Sequence, residues 1–84
     1  MITPGQLRAS RALLGIDQRK LAQAAGLSLP TIQRMEGSDG VIRGNVDSLM
    51  KLVAALEALG IELIADNDAS PAGGRGVRLK VASS

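Results

Sequence analysis

The chain has 84 residues and contains no cysteine, histidine, phenylalanine, tyrosine or tryptophan. This length suits one small domain, and an apolar content of 45% is enough for a core of aliphatic side chains. The missing residue types exclude a disulfide framework, a thiolate metal site and the usual imidazole base, so we expect neither an enzyme nor a metal or other cofactor. The formal net charge of +2 is too small to indicate a nucleic-acid partner by itself.

The sequence has no recognisable export or membrane signal. Residues 1–6 have neither the basic nor the apolar stretch of a secretory signal. Lys51 and Glu57 interrupt the longest apolar stretch, which argues against a membrane-spanning helix. We therefore expect a cytoplasmic protein with no membrane partner.

The first predicted helix begins at Pro4 and ends at Leu14. Thr3 and Gln6 have the spacing of a capping box, in which each side chain accepts a hydrogen bond from the backbone amide of the other residue. Proline is favoured in a first helical turn because amide hydrogens there have no acceptor within the helix, so the amide hydrogen that proline lacks is not missed. Gly15 is placed to end the helix.

Residues 17–36 predict two short helices joined by a tight turn. Asp17 can cap the first helix, and Gly26 can end it because glycine adopts the left-handed conformation without steric cost. Ser28 is positioned to cap the second helix, with Pro30 in its first turn. The chain therefore turns sharply, and a second helix begins within three residues.

The second of these helices is amphipathic, and Gly37 is placed to end it. The side chains spaced to point inward are Leu27, Ile32 and Met35. The side chains left facing outward are Leu29, Pro30, Thr31, Gln33 and Arg34. We interpret the outward face as a binding surface, and the alternative is that it only solvates a structural helix.

A fourth helix is predicted to start after Asn45 and to end at Gly60. Residues 38–44 precede it as a glycine-rich loop, in which Ile42 is expected to anchor to the core. An apolar stripe recurs along the helix at Leu49, Leu52, Val53, Leu56 and Leu59. We interpret this stripe as a wall of the core rather than as a partner-binding face.

After Gly60 the apolar pattern becomes that of strands. Residues 61–64 and 77–81 are short β-rich runs, and the second alternates between apolar and basic side chains. Residues 66–76, between them, are predicted to form a flexible loop. The fold class expected is therefore mainly α, a small bundle of four helices over residues 1–60 with a two-stranded β extension over residues 61–84.

Such a small chain and such a short ribbon are both marginal alone, so we expect a homodimer. The ribbon should pack on the fourth helix or pair with a second chain, and both arrangements stay open. A dimer built through the strands would use Ile61, Leu63, Val77, Leu79 and Val81.

The charges are distributed unevenly along the chain. Residues 1–45 carry six basic side chains against three acidic ones, whereas residues 46–68 carry one against five. The basic region coincides with the two short helices, which supports a nucleic-acid partner. The absence of aromatic side chains disfavours single strands, because bases would have no ring on which to stack.

These residues resemble the phage repressor and Cro type of helix-turn-helix regulator, the xenobiotic-response-element family. The family pattern is filled here by Gln18, Leu21, Ala22, Gly26, Leu27, Ser28, Ile32 and Glu36. The resemblance extends from about Thr3 to about Gly60 and leaves out the last quarter of the chain. It implies a helix-turn-helix DNA-binding domain over residues 1–60.

In that family the second helix of the motif lies in the major groove of double-stranded DNA. The resemblance implies that the base-reading residues are Leu29, Pro30, Gln33 and Arg34. Arg34 is suited to guanine and Gln33 to adenine. Leu29 and Pro30 offer only apolar contact and depart from the polar residues that other members have there.

The resemblance also implies contacts to the DNA backbone. Gln18 matches the family's phosphate-binding glutamine, at the start of the first motif helix. The further backbone contacts expected are Arg19, Ser28, Thr31, Arg43 and Asn45. A capping role explains Asn45 fully, and a solvated position accounts equally well for Arg19.

Arg11 and Glu36 match a family pair that forms an internal ion pair, which we interpret as structural. The whole pattern predicts a sequence-specific DNA-binding transcriptional regulator, a dimeric repressor that reads an inverted-repeat operator. The alternative is an antitoxin-type DNA-binding protein whose C-terminal extension binds a partner protein.

Overall fold

Four helices followed by two antiparallel strands make up the part of the chain that the computed structural model describes, residues 2–40, 42–64 and 76–80. The elements are α1 (Pro4–Leu14), α2 (Gln18–Ala25), α3 (Leu29–Glu36), α4 (Val46–Ala58), β1 (Ile61–Ile64) and β2 (Gly76–Leu79). The predicted mainly α fold with a two-stranded C-terminal extension is confirmed.

The helix ends lie where the capping residues predicted them. At the start of α1, the Thr3 hydroxyl accepts from the Gln6 amide at 3.1 Å, and the Gln6 side-chain oxygen accepts from the Thr3 amide at 2.9 Å. Gly15 and Gly26 follow α1 and α2 in the left-handed conformation, with φ of 67° and 68°. Short-range hydrogen bonds therefore determine these boundaries.

Within the described residues, the core lies between the helices and consists mainly of aliphatic side chains, with Met35 and the buried Ser10. The largest fully buried apolar side chains are Leu7, Leu21, Ile32, Met35, Ile42, Leu52, Leu56 and Ile61. The expected anchor in the loop before α4 is present, since Ile42 is buried and its amide donates to the Ile2 carbonyl oxygen at 2.9 Å. This contact joins the loop to the N-terminal segment.

The apolar stripe on α4 is only partly the predicted core wall. Leu52 and Leu56 are fully buried, whereas Leu49 and Val53 are half-buried. Leu59 lies beyond the last helical residue and remains 40% exposed, so its assignment to the core is wrong. The five positions lie on more than one face of α4. The bundle and the ribbon bury only one of these faces.

The two strands pair with each other within the chain. Ile61 is opposite Leu79 and Leu63 is opposite Val77. Ile61 is fully buried, and Leu63 and Val77 pack against the core. β2 packs on α1 and β1 packs on α4, so the ribbon contacts the bundle at two helices rather than at the fourth alone.

The outer side of the ribbon is charged, with an ion pair between Arg78 and Glu62. The second strand was predicted to continue to Val81, but β2 ends at Leu79, and Val81 lies outside the described residues. Residues 66–75 of the predicted loop also lie outside the described residues, and Gly76, the last loop residue predicted, is instead the first residue of β2.

Gln6 joins the ribbon to the first helix. This side chain is almost fully buried, and its Nε2 donates to the carbonyl oxygens of Ile64 at 2.9 Å and Gly76 at 3.0 Å. One amide group thus completes the cap of α1 and binds the adjacent ends of both strands. Sequence reasoning identified only the capping half of this role.

Replacing Gln6 by alanine is expected to lower the free energy of unfolding by about 1.5 kcal/mol, because two partly buried carbonyl groups lose their donor and α1 loses part of its cap. Urea unfolding measures this loss. Gln6→Glu is the informative control, since glutamate preserves the capping acceptor but presents a carboxylate to both carbonyl oxygens. If Gln6→Glu were neutral, the cap would account for the whole effect and the link to the strands would be unimportant.

Candidate nucleic-acid interface

Helix α3 has one buried face and one exposed face. Ile32, Met35 and Glu36 are buried and attach the helix to the bundle. Pro30, Gln33 and Arg34 are exposed, and their spacing of three and four residues places them on the same side of the helix. Of the four proposed base-reading residues, only Leu29 is half-buried.

The turn before α3 contains only Gly26, Leu27 and Ser28. The Leu27 amide donates to the Ala22 carbonyl oxygen at 2.9 Å, and its side chain packs against the core. The Ser28 hydroxyl accepts from the Thr31 amide at 3.2 Å and lies 2.8 Å from the Thr31 hydroxyl. These contacts fix where α3 begins, next to the exposed residues of its first turn.

The ion pair expected between Arg11 and Glu36 is present and has two contacts. Arg11 Nε lies 2.5 Å from Glu36 Oε2, and Arg11 Nη2 lies 2.8 Å from Glu36 Oε1. The Glu36 side chain is 6% exposed and that of Arg11 is 21% exposed. The side-chain hydrogen bond with Glu36 raises the pKa of Arg11, so the guanidinium stays charged and the pair joins α1 to the end of α3.

Gln18 belongs to the same network. Its Nε2 donates to Glu36 Oε1 at 3.2 Å, and the residue is half-buried at the start of α2. An amide nitrogen has two donor hydrogens, so one hydrogen bond to Glu36 leaves the second available to another acceptor. The family resemblance implies a phosphate contact for Gln18, and nothing in the sequence indicated its bond to Glu36.

Arg8 is a further residue that sequence reasoning missed. Its Nη1 donates to the backbone carbonyl oxygen of Glu36 at 2.8 Å, and it thereby binds a carbonyl group at the C-terminal end of α3. A basic residue near a helix end is a general signal for this contact, but the two residues lie 28 positions apart in the chain. Only the packing of α1 against α3 brings them together.

The remaining candidate backbone contacts differ in their surroundings. Arg19 and Arg43 are exposed, the first in the opening turn of α2 and the second in the loop before α4. Asn45 is the N-cap of α4, where its Oδ1 accepts from the Ser48 amide at 2.7 Å. The capping interpretation of Asn45 is therefore confirmed.

The exposed charge around the two short helices is mainly positive. Because Glu36 is buried against Arg11, only Asp17 and Asp39 remain as exposed carboxylates in residues 2–40 and 42–45. Asp17 Oδ1 in turn accepts from the Lys20 amide at 2.7 Å as the cap of α2. The exposed basic side chains in the same part are Arg8, Arg19, Lys20, Arg34 and Arg43.

Within residues 2–40, 42–64 and 76–80, no group of three or more carboxylates is arranged to hold a metal ion. In the same ranges, every helix is too short or too polar to cross a membrane. Comparison with known proteins found no family model and no curated protein that matches the chain.

Proposed function

We propose that this protein is a sequence-specific double-stranded DNA-binding regulator that inserts α3 into the major groove. The observation that carries the proposal is the division of α3 into a buried face, fixed to the bundle, and an exposed face with Gln33 and Arg34. A guanidinium and a carboxamide are the groups best suited to the edges of guanine and adenine in that groove. Pro30 and Leu29 add apolar contact at the start of the helix.

The surroundings of α3 support a role on DNA. The exposed basic side chains around it suit phosphates, and Gln18 presents a second amide hydrogen at the N-terminal end of α2. In this proposal Glu36 positions Gln18 through their hydrogen bond and holds α3 against α1 through its ion pair with Arg11. The protein would be a cytoplasmic repressor that acts by occupying its operator, with no catalytic step.

In the described strands, residues 61–64 and 76–79, the antitoxin-type alternative has little support, because Leu79, at 45%, is their one exposed large apolar side chain. That alternative needs apolar side chains in the C-terminal extension to bind a partner protein. Ile61 is fully buried, and Leu63 and Val77 pack against the core of their own chain. We therefore place the DNA-binding regulator first.

The proposal is tested by selecting duplexes from a random library with the purified protein. We expect an enriched inverted repeat with half-site centres about 34 Å apart, one helical turn, because a twofold dimer would present two α3 helices. Titration of the selected duplex at several salt concentrations then separates phosphate contacts from base contacts. Salt-dependent binding without an enriched sequence would contradict sequence-specific recognition, and no binding at all would contradict a role on DNA.

A further inference from the structure

The outer face of α4 is apolar and has no covering element among the described residues. Val46 is 72% exposed and Met50 is 66% exposed, values unusual for large apolar side chains. They belong to an open groove of about 480 Å³ along the helix, lined by Val46, Leu49, Met50, Val53, Ala54 and Glu57. Leu52 and Leu56 lie on the core-facing side of α4, and Leu49 both lines the groove and packs against the core.

We propose that this groove binds α4 of a second copy of the chain, in an antiparallel arrangement about a twofold axis. Successive lining positions are three, one, three, one and three residues apart. This order is the same whether it is read from the N-terminal or the C-terminal end of α4. Two antiparallel copies centred between Lys51 and Leu52 therefore present the same stripe to each other, as an isologous interface requires.

The residues nearest the centre of the groove meet across the axis in this arrangement. Leu49 and Ala54 lie on the two flanks of the stripe, so each is next to its own counterpart in the second copy. Met50 faces Val53 of the second copy, and Met50 is flexible enough to fill irregular space at the axis.

The charges favour an antiparallel arrangement with a second copy of the same chain. Glu57 is the charged residue of the groove, and antiparallel pairing brings it to Val46 of the second copy, at the N-terminal end of α4. A carboxylate is stabilised at a helix N-terminus, and the exposed Arg43 lies just before that end. A parallel arrangement would instead place two Glu57 carboxylates together.

Asp47 lies in the first turn of α4, next to the position that Glu57 of the second copy would reach, and its ion pair with Lys51 offsets its charge. Asp47 and Lys51 form an ion pair with each other at 3.3 Å on one turn of α4. A helix of 13 residues is about 20 Å long, which gives less contact than the roughly 800 Å² per partner of stable dimers. We therefore expect a dimer that dissociates on dilution below high micromolar concentration.

The inference places the dimer of the proposed function on α4 instead of on the strands. In the described strands the side chains of Ile61, Leu63 and Val77 are used within their own chain, and Leu79 is 45% exposed, less than Met50 or Val46. Dimerisation through α4 does not require DNA, so it is tested in DNA-free solution. A failure of this inference would leave the duplex selection result unaffected.

The first test is sedimentation velocity of the full chain over a range of concentrations. We expect reversible dimerisation in the wild type and a dissociation constant raised by at least about tenfold in Met50→Glu, because a carboxylate would be buried at the axis. Leu13→Glu is the matched control, since Leu13 is an apolar residue of α1 that is 47% exposed. A wild type that stays monomeric, or a dimer equally sensitive to both changes, would overturn the proposal.

Cysteine crosslinking tests the direction and does not depend on Met50→Glu folding, because the natural chain has no cysteine. In the antiparallel dimer the two copies of residue 53 are offset by about 4.5 Å along the helices, and the two copies of residue 46 by about 16 Å. A short bismaleimide should therefore join Val53→Cys chains and fail to join Val46→Cys chains. Equal crosslinking at both positions, or none at either, would overturn the antiparallel arrangement.

Discussion

Replacing Glu36 by alanine is expected to lower the free energy of unfolding by about 3 kcal/mol, at the lower end of the roughly 3–5 kcal/mol seen when a buried ion pair loses one partner. The carboxylate is 6% exposed and accepts from Arg11 twice and from Gln18 once. Its removal leaves the Arg11 guanidinium, 21% exposed, without its hydrogen-bonded partner and with the carboxylate of Asp17 as a weaker counter-charge. Urea unfolding of the wild type and the variant at neutral pH measures the difference.

Two further variants separate charge from packing at this site. Glu36→Gln keeps an acceptor and the size of the side chain, so its loss should be smaller than that of Glu36→Ala. Arg11→Met combined with Glu36→Met removes both charges and should recover most of the stability, since buried ion pairs are often replaceable by apolar pairs. The backbone bond from Arg8 to the Glu36 carbonyl oxygen stays possible in all of them. A loss below about 1 kcal/mol for Glu36→Ala would indicate a pair that behaves like a surface ion pair.

Replacing Arg34 by alanine is expected to weaken binding to the selected duplex by about 2 kcal/mol, roughly thirtyfold, through loss of a bidentate contact to guanine. Binding to random DNA should change by only a few-fold at most, because base readout contributes little to nonspecific affinity. Arg34 is exposed on α3, so the stability of the fold should change by less than about 0.5 kcal/mol. Fluorescence anisotropy with both duplexes at one salt concentration measures the two affinities.

Gln18→Ala is the matched control, since Gln18 is assigned to phosphate rather than to bases. This change should weaken binding to the selected and random duplexes by similar factors, because phosphate contacts carry no sequence information. It should leave the sequence preference unchanged. If Arg34→Ala also lowered the affinity for the selected and the random duplex by similar factors, the assignment of Arg34 to bases and Gln18 to phosphate would be wrong.

The sequence predicted the helix boundaries well because their causes lie within a few residues of each other. The capping box of Thr3 and Gln6, the cap of Asp17 and the left-handed Gly26 involve contacts across three residues or a single backbone conformation. The exposed face of α3 followed from helical spacing for the same reason. These features need no knowledge of how the helices pack.

The sequence by itself thus determined the elements, the ends of the first three helices, most of the core side of each helix and the residues proposed to face DNA. Only the tertiary structure decided which distant groups meet: Gln6 with the strand ends 58 and 70 positions away, Arg8 with the last carbonyl of α3, and Gln18 with Glu36. It also decided that α4 buries one apolar side and exposes another. The physical reason is that apolar periodicity identifies the stripe on a helix, whereas the neighbours that cover it depend on contacts between elements far apart in the chain.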